Sequence, residues 1–170
     1  RRLGHDVPAW PVVSTGPLPA GPSGGAIRGL FVGGTLKSES QLIAEQSSGP
    51  GAGHSFVDFG DDEYTTGRAH PMIDPSLRLE HLARAAADPS TGVLLLDVVL
   101  GHGAESDPAA ALAPAIAEVT QPVVIAVVGT AADPQGLPGQ VRALAEAGAE
   151  VHLSNAGATR RALELTGGAA

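Results

Sequence analysis

The stretch that decides the fold is VVIAVVGTAADPQGLPGQVRALAEAG, which runs from Val123 to Gly148. Its first six residues are all apolar, as is typical of a strand that a parallel sheet buries on both faces. A loop with two prolines follows, and from about Pro138 the apolar side chains recur at the spacing of an amphipathic helix. The stretch therefore predicts a strand, a loop and a helix in succession.

The same unit recurs along the rest of the chain. We predict strands at Ala26–Val32, Ser55–Phe59, Val93–Leu100, Val123–Val128 and Glu150–Leu153, and helices at Leu36–Gln46, Pro75–Ala87, Pro108–Thr120, Pro138–Ala147 and Ala158–Leu165. Consecutive parallel units cross over with a right hand, so the chain predicts an α/β fold with a doubly wound, mainly parallel five-stranded sheet. The flavodoxin-like strand order 2-1-3-4-5 suits this number of strands.

Composition narrows the class of protein. The chain has 170 residues, a hydrophobic content of 43%, a net charge of −8 and no cysteine. This length suits one domain, and the negative charge argues against nucleic acid as a partner. No apolar run is long enough to cross a bilayer, and the lack of cysteine excludes disulfides and thiolate chemistry. We therefore expect a cytoplasmic protein that does not bind membranes.

Residues 1–25 differ from the rest of the chain. They contain five prolines and five glycines without a regular period, which predicts an extended linker or arm. Trp10, Val12 and Val13 are the arm residues that we expect to dock on the domain. The domain itself is predicted to span residues 26–170.

Aspartate–proline pairs predict where helices begin. Asp74-Pro75, Asp107-Pro108 and Asp133-Pro134 each precede a helical stripe. The aspartate can accept hydrogen bonds from the first turn, and the proline presets the backbone there. Pro138 would disrupt a helix that began at Pro134, so we expect a short capped turn at Asp133 and then the helix proper.

Ligands of doubly wound sheets bind beyond the carboxyl ends of the strands, between the first and third strands. The loop after the first strand is Gly33-Gly34-Thr35. Its glycines would let backbone N–H groups at a helix start approach an anion. The spacing matches neither the dinucleotide nor the P-loop fingerprint, so the alternative is a tight turn without a ligand.

The loop after the third strand is GHGAESDP, which begins at Gly101. His102 lies between Gly101 and Gly103 and is the one weak candidate for a catalytic residue, because it could donate to a phosphate or move a proton. The alternative is an exposed loop histidine, and the negative charge of Glu105 would oppose an anion here.

The loop after the second strand is the most polar one. Its acids, which include Asp61 and Asp62, could bind Mg²⁺ through oxygen ligands, but such a run is more often a solvated rim and we expect no metal. Arg68 and His70 could pair with these acids or meet an anionic substrate. We therefore predict ion pairs or an interface for these four residues.

Two further loops complete this edge of the sheet. After the fourth strand, we expect Gly129 and Thr130 to face the edge and Gln135 to be free for a ligand or a partner domain. Asn155, after the fifth strand, is a further candidate for ligand binding. Neither a Ser-His-Asp nor an H-E-x-x-H arrangement is present.

Four segments carry a resemblance to a known family. They are GLFVGGTL (Gly29–Leu36), HSFVDFGDDEYTTGRAHPMIDPSLRLEHL (His54–Leu82), LLLDVVLGHGAESDPA (Leu94–Ala109) and VVGTAADPQGL (Val127–Leu137). Together they resemble the carboxy-terminal part of FdrA-type proteins, which belong to the succinyl-CoA synthetase and ATP-citrate lyase ligase superfamily. The resemblance covers residues 26–165 and implies a flavodoxin-like CoA-ligase domain.

The wider family transfers acyl and phosphoryl groups through a phosphohistidine, held between helix N-termini of two related domains. That histidine follows the fourth strand of one domain, whereas residues 129–140 contain none. The resemblance therefore implies that this chain is the partner half, with Gly101, His102 and Gly103 in the anion-facing position. Lys37 and Ser38 stand where the family has a cysteine and an acid, so any role of that cysteine does not transfer.

The resemblance also implies a function. Some FdrA-type proteins are associated with carbamoyl transfer involving oxamate, in purine and allantoin breakdown. The leading hypothesis is an oligomeric subunit or fragment, inactive alone, that completes a site for acyl, phosphoryl or carbamoyl transfer to or from a small molecule.

Other domains or subunits of the same assembly would be the partners, and CoA, a nucleotide or Mg²⁺ would act in the complete protein. One alternative is a nucleotide-dependent acyl-CoA ligase subunit. Another is a non-catalytic module that is structural or binds acyl-CoA or a nucleotide.

Overall fold

The computed structural model describes residues 11–22, 24–67 and 69–167. The strands are β1 (Val12–Val13), β2 (Ala26–Phe31), β3 (Ser55–Asp58), β4 (Thr91–Val99), β5 (Val123–Val128) and β6 (Glu150–His152). The helices are α1 (Gly34–Ser48), α2 (Asp62–Thr65), α3 (Ser76–Ala87), α4 (Pro108–Ala117), α5 (Leu137–Glu146) and α6 (Asn155–Leu165). None of these helices is long and apolar enough to cross a membrane.

The strands form one sheet in the order β1-β6-β5-β4-β2-β3. Strands β2 to β6 are parallel, and β1 pairs antiparallel with β6. The five parallel strands follow the order 2-1-3-4-5, so the predicted doubly wound, flavodoxin-like α/β sheet is confirmed. The antiparallel sixth strand was not predicted, because two valines in a proline-rich arm are too few to show a period.

The middle strand β4 separates two apolar cores. Leu94 and Leu96 belong to a core that α3, α4 and α5 cover, whereas Val93 and Leu95 belong to a core that α1 and α6 cover. This alternation places successive side chains on opposite faces of the strand. The sheet is therefore buried on both faces, as its continuous apolar strands predict.

Two prolines, Pro134 and Pro138, each predicted a possible start for helix α5, and the structure shows which of them lies at the start. Asp133 does not begin the helix; its carboxylate accepts hydrogen bonds from the backbone N–H and the hydroxyl of Thr130. The helix begins at Leu137, after Gly136 in the left-handed conformation with φ of 73°. The expected capped turn before the helix proper is thus present.

The arm residues 11–22 lie against the domain. Pro11 O accepts from Leu153 N at 3.4 Å, Thr15 Oγ1 donates to Ala145 O at 2.9 Å, and Leu18 packs against the core under α1 and α6. Val12 and Val13 dock as expected, through β1. The prediction for Trp10 concerns a residue outside the described ranges.

Candidate functional site

Strands β2 and β4 end side by side at the carboxyl edge of the sheet, where the direction of winding reverses. Doubly wound folds bind their ligands at this place. The loops that follow β2, β3, β4 and β5 all leave from this edge. The site is therefore built here, from the polar groups of these loops.

Asp97, in β4, organises the turn after β2. The residue is 0% exposed, and its carboxylate accepts from Val32 N at 2.8 Å and from Gly33 N at 2.9 Å. Arg78, in α3, donates from Nη2 to Asp97 O at 2.6 Å and to Asp97 Oδ1 at 3.2 Å. One buried ion pair thus connects β4, α3 and the turn after β2.

Burial and ion pairing have opposite effects on the pKa of Asp97 and on the pKa of Arg78. Desolvation raises the pKa of the Asp97 carboxyl, while the guanidinium of Arg78 and the N–H groups of Val32 and Gly33 oppose that rise. Desolvation likewise lowers the pKa of Arg78, against the effect of Asp97. Sequence reasoning missed Asp97, although it is the single charged residue in the apolar run Val93–Leu100.

The start of α1 is faced by two carboxylates. Besides Asp97, Asp58 lies close to Gly34: a methyl group on Gly34 would be 2.6 Å from Asp58 Oδ2. The other oxygen of Asp58 accepts from Gly60 N at 2.8 Å. The anion site predicted at Gly33, Gly34 and Thr35 is therefore not available at Gly33, whose N–H donates to Asp97, and negative charge nearby opposes an anion at the other two.

His70 organises the loop after β3. Its Nδ1 accepts from Met72 N at 3.2 Å, which leaves Nε2 to carry the proton of the neutral ring. A methyl group on Gly60 would lie 2.7 Å from Nε2. The ion pairs expected between Arg68 and its acidic neighbours fall on a residue outside the described ranges, and Asp61 and Asp62 are exposed.

The loop after β4 is held by Gln135 from the loop after β5. Gln135 Oε1 accepts from Gly101 N at 3.1 Å, and its Nε2 donates to Gly101 O at 2.7 Å and to Glu105 O at 3.0 Å. Glu105 N also donates to Met72 O at 2.7 Å. Gln135 was expected to be free for a ligand, but both N–H groups of its amide and its Oε1 are engaged in fixing this loop.

The tip of the same loop is exposed. Gly101 and Gly103 have φ of 148° and 85°, which side chains rarely adopt, and His102 projects between them into solvent. Within the described ranges, neither the ring of His102 nor the backbone N–H groups of His102 and Gly103 have a hydrogen-bond partner. These donors are therefore accessible to a ligand.

The start of α4 has no such free donors. Asp107 accepts from Ala110 N at 3.1 Å, as the capping prediction required, and Gln140 Oε1 accepts from Ala109 N at 2.8 Å. Gln140 Nε2 donates to Asp107 Oδ1 at 2.9 Å. This bond and that of Ala110 hold the pKa of the Asp107 carboxyl below its ordinary value. Pro108 has no N–H, so the helix start is saturated by the protein itself.

The two remaining loops contribute structure to the edge. A methyl group on Gly129 would lie 2.9 Å from the side chain of Leu100, so this glycine permits close packing. Thr130 is bonded to Asp133. Asn155 is buried, and its Nδ2 donates to Leu36 O at 3.0 Å and to Glu39 Oε2 at 2.7 Å. Asn155 therefore joins α6 to α1. It was predicted to bind a ligand, but its side chain is engaged within the protein.

The described part of this edge has no complete binding site for a cofactor. No group of three or more histidine or acidic side chains is placed to hold a metal ion there. The starts of α1 and α4, where the phosphates of CoA or a nucleotide would be expected, carry Asp97, Asp58 and Asp107. These phosphates therefore do not fit at either helix start.

Comparison with known proteins places the chain in a family. It is 36% identical over 149 residues to the uncharacterized protein YahF of Escherichia coli (strain K12), an alignment that covers 72% of this chain and 29% of YahF. The chain thus spans less than a third of the length of that relative. The sequence profile of the CoA-ligase family matches residues 30–165, which include all five parallel strands except the start of β2. The chain belongs to the CoA-ligase family.

Proposed function

We propose that this CoA-ligase domain provides the half of a group-transfer site that lacks the phosphohistidine, as the carboxy-terminal domain of an FdrA-type protein would. The contact with the reacting group is the loop tip Gly101–Gly103. The observation that carries the proposal is a contrast: the polar groups of Gly33, Gln135 and Asp107 are engaged within the protein, whereas the ring of His102 and the N–H groups of His102 and Gly103 have no partner among the described residues. A second domain would supply the phosphohistidine.

The tip supplies hydrogen-bond donors and no nucleophile. Backbone N–H groups fixed in a loop stabilise negative charge that develops on a carbonyl or phosphoryl oxygen. Because Gln135 and Met72 hold the loop at both sides of the tip, these donors need little reorganisation during the reaction. The ring of His102 adds a donor, or an acceptor for the proton of an incoming group.

The proposed substrate class rests on the family resemblance. Acyl and phosphoryl transfer are the reactions that the resemblance implies, and carbamoyl transfer involving oxamate is its most specific version. All three develop charge on an oxygen that the tip could bind. CoA, the nucleotide and Mg²⁺ would be held by other domains, because the described residues of this edge form no phosphate or metal site.

The test combines this chain with a CoA-ligase domain that carries the family histidine. Turnover is measured with ATP, CoA and a carboxylic acid, and separately with carbamoyl phosphate. We expect activity only in the mixture, and His102→Ala to lower kcat by about 100-fold. Ser106→Ala is the matched control, because Ser106 is exposed in the same loop, and it should leave kcat unchanged. If the mixture turns over equally with His102→Ala, the histidine has no role; if no mixture turns over, the half-site is wrong.

One observation favours a second candidate, a non-catalytic module. The helix starts that bind anions in related folds are saturated by acidic or amide side chains. A module of this kind would have a structural role in assembly, without turnover and without binding acyl-CoA or a nucleotide at these helix starts. Assay of the mixture together with isothermal titration of the chain distinguishes the two: activity of the mixture supports the half-site, whereas association with the partner domain without turnover and without binding of either compound supports the structural module.

A further inference from the structure

Strand β3 is the outer strand of the sheet on the side opposite the arm. Its neighbour in the described sheet is β2 alone, so its other edge has no partner strand among the described residues. At the far side of the sheet, β1 covers β6. An edge strand with unpaired backbone groups is a template for an added strand. The described sheet can therefore be extended at β3.

The register of β3 shows which of its backbone groups face outwards. Phe59 N donates to Phe31 O, on the β2 side, at 2.8 Å. Because the backbone groups of successive residues point to opposite sides of a strand, those of Val57 also face β2, whereas those of Phe56 and Asp58 face the free edge. The N–H and C=O of Phe56 and the N–H of Asp58 have no partner on that side within the described ranges.

Helix α1 lies beside this edge and turns it into a groove. Two depressions, of about 320 and 400 Å³, follow the edge, and Phe56 lines both of them. The helix residues that line them share one face of α1: Gly34, Lys37, Ser38, Gln41, Ala44 and Glu45. Some peptide-binding domains use such a groove, in which the peptide adds a strand to the sheet and its alternate side chains enter pockets.

The charges of the groove indicate the kind of partner. Its described lining contains four carboxylates and one ammonium group, from Glu45, Asp58, Asp61, Glu63 and Lys37. The three glutamate and aspartate side chains outside β3 are exposed, and none of them forms an ion pair with a described residue. A second copy of this chain would bring the same negative edge, whereas a basic segment would balance the charge.

We propose that the groove between β3 and α1 binds an extended, basic peptide segment of a partner protein, which adds a strand to the sheet. The outward groups of Phe56 and Asp58 bond to the main chain of the peptide, and its lysine or arginine side chains meet Glu45 and Glu63. Strand β2 separates this groove from the strand that leads to the loop tip Gly101–Gly103. The inference does not rest on the function proposed for that tip.

Two peptides of opposite charge test this inference. A capped heptapeptide of alternating lysine and valine is compared with one of alternating glutamate and valine, which has the same length and a similar pattern. Each is titrated into the ¹⁵N-labelled chain at physiological ionic strength, and the ¹H–¹⁵N resonances are followed. With the lysine peptide we expect a saturable shift centred on Phe56 and Asp58, and hydrogen exchange of these amides slowed at least about fivefold. The glutamate peptide should bind at least about tenfold more weakly.

Charge variants test whether the acidic side chains of the groove attract the peptide. Glu45→Lys and Glu63→Lys should each weaken binding of the lysine peptide at least about fivefold, and together they should make the glutamate peptide bind more tightly than the lysine peptide. Glu146→Lys, the same change at an exposed position at the end of α5, is the matched control and should leave binding unchanged. If Glu146→Lys weakens binding as much as Glu45→Lys, the inference is overturned.

A third peptide tests whether the main chain is recognised. A capped heptapeptide of alternating lysine and proline keeps the charge but lacks the backbone donors of the valines, and we expect no saturable shift at Phe56. An equal shift with this peptide overturns the inference, because the groove would then attract charge alone. The absence of a shift with the lysine–valine peptide also overturns it. If light scattering then shows a dimer in which the Phe56 amide is protected, the occupant of the edge is a second copy of this chain.

Discussion

Arg78 and Asp97 form the one described ion pair in which both side chains are almost fully buried, with side-chain exposures of 5% and 0%. Such a pair does not add much stability by itself, because desolvation offsets the attraction between the charges. Its effect here is positional: Asp97 holds the N–H groups of Val32 and Gly33. The turn after β2 is therefore fixed by a carboxylate that has to remain paired.

Removal of one partner should be costly. Arg78→Met leaves the buried carboxylate of Asp97 with backbone donors alone, and we expect the free energy of unfolding in urea to fall by about 3 to 5 kcal/mol. Arg84→Met, on the same helix, is the matched control, because Arg84 is 70% exposed and pairs with the exposed Glu80. This variant should lower the free energy of unfolding by less than about 0.5 kcal/mol. Equal losses for both variants would contradict the assigned role of the buried pair.

At the scale of single residues, the sequence showed which positions are structurally important, but not which distant residues they contact. The capping role of Asp107 could be recognised from local spacing, because its carboxylate accepts from Ala110, three positions along the chain. Gln135 and Asn155 were misjudged, since their partners lie 34 and 119 positions away along the chain. Asp97 was missed for the same reason, because Arg78 and Gly33 reach it only in the folded sheet.

Helix α4 is the element on which the proposed half-site depends. Its start is joined to α5 by the bond between Gln140 and Asp107, and the loop before it is joined to the β5 loop by Gln135. Two glutamines thus hold α4 and its loop in place from the same neighbouring segment. The tip Gly101–Gly103 is exposed, but the backbone on both sides of it is held.

The cap of α4 can be tested by substitution. Asp107→Ala removes the acceptor for Ala110 N and for Gln140 Nε2, and we expect thermal or urea unfolding to show a loss of about 1 kcal/mol. Asp107→Asn retains a capping oxygen and should lose much less. Because the folded-state pKa of Asp107 is lowered, the difference between wild type and Asp107→Ala should persist at neutral pH and shrink as the pH falls through that pKa. A difference that does not change down to pH 2 would argue against a charged cap.

Most elements could be predicted from the sequence, but their ends could not. The helices at residues 36–46 and 158–165 were expected shorter than α1 and α6, which include the loop glycine Gly34 and Asn155. These residues enter the helices because Asp97 fixes the turn before α1 and Ser154 Oγ accepts from Gly157 N at 3.2 Å. The contact from Asp97 comes from a distant residue and leaves no local signal, whereas Ser154 is a local cap that the prediction overlooked.

At the scale of the whole molecule, the arm covers one edge of the sheet. Residues 11–22 add β1 to the edge strand β6 and then cross to the start of β4, where a methyl group on Gly21 would lie 2.1 Å from Gly92 O. An unpaired edge strand can pair with another chain. The arm therefore covers the edge of the sheet that would otherwise be open at β6.

Deletion of the arm tests this role. A variant without residues 1–20 loses β1, the bond of Thr15 to Ala145 and the packing of Leu18. We expect its free energy of unfolding to fall by about 2 kcal/mol and its mass in light scattering to indicate self-association. The matched control lacks residues 1–10 only and retains all of these contacts. If both deletions behave alike, the arm does not protect the edge.

At the scale of the fold, the right-handed crossover of repeated units predicted a doubly wound sheet, and the structure has the strand order that suits five strands in such a sheet. The antiparallel addition of Val12 and Val13 could not be foreseen. Its register depends on which backbone groups of β6 remain unpaired, and this is known only once the sheet is formed.

The position of β4 between β2 and β5 determines how readily its amide hydrogens exchange with solvent, compared with those of the arm and the loops. Its residues from Thr91 to Val98 are buried, and both of its edges are bonded to neighbouring strands. Amide hydrogens in such a strand exchange with solvent only when the whole domain unfolds, whereas those of an arm or a loop exchange through local opening. Asp97 belongs to this slowest-exchanging strand, so the carboxylate that holds the turn after β2 would stay in place while the arm or a loop opens locally.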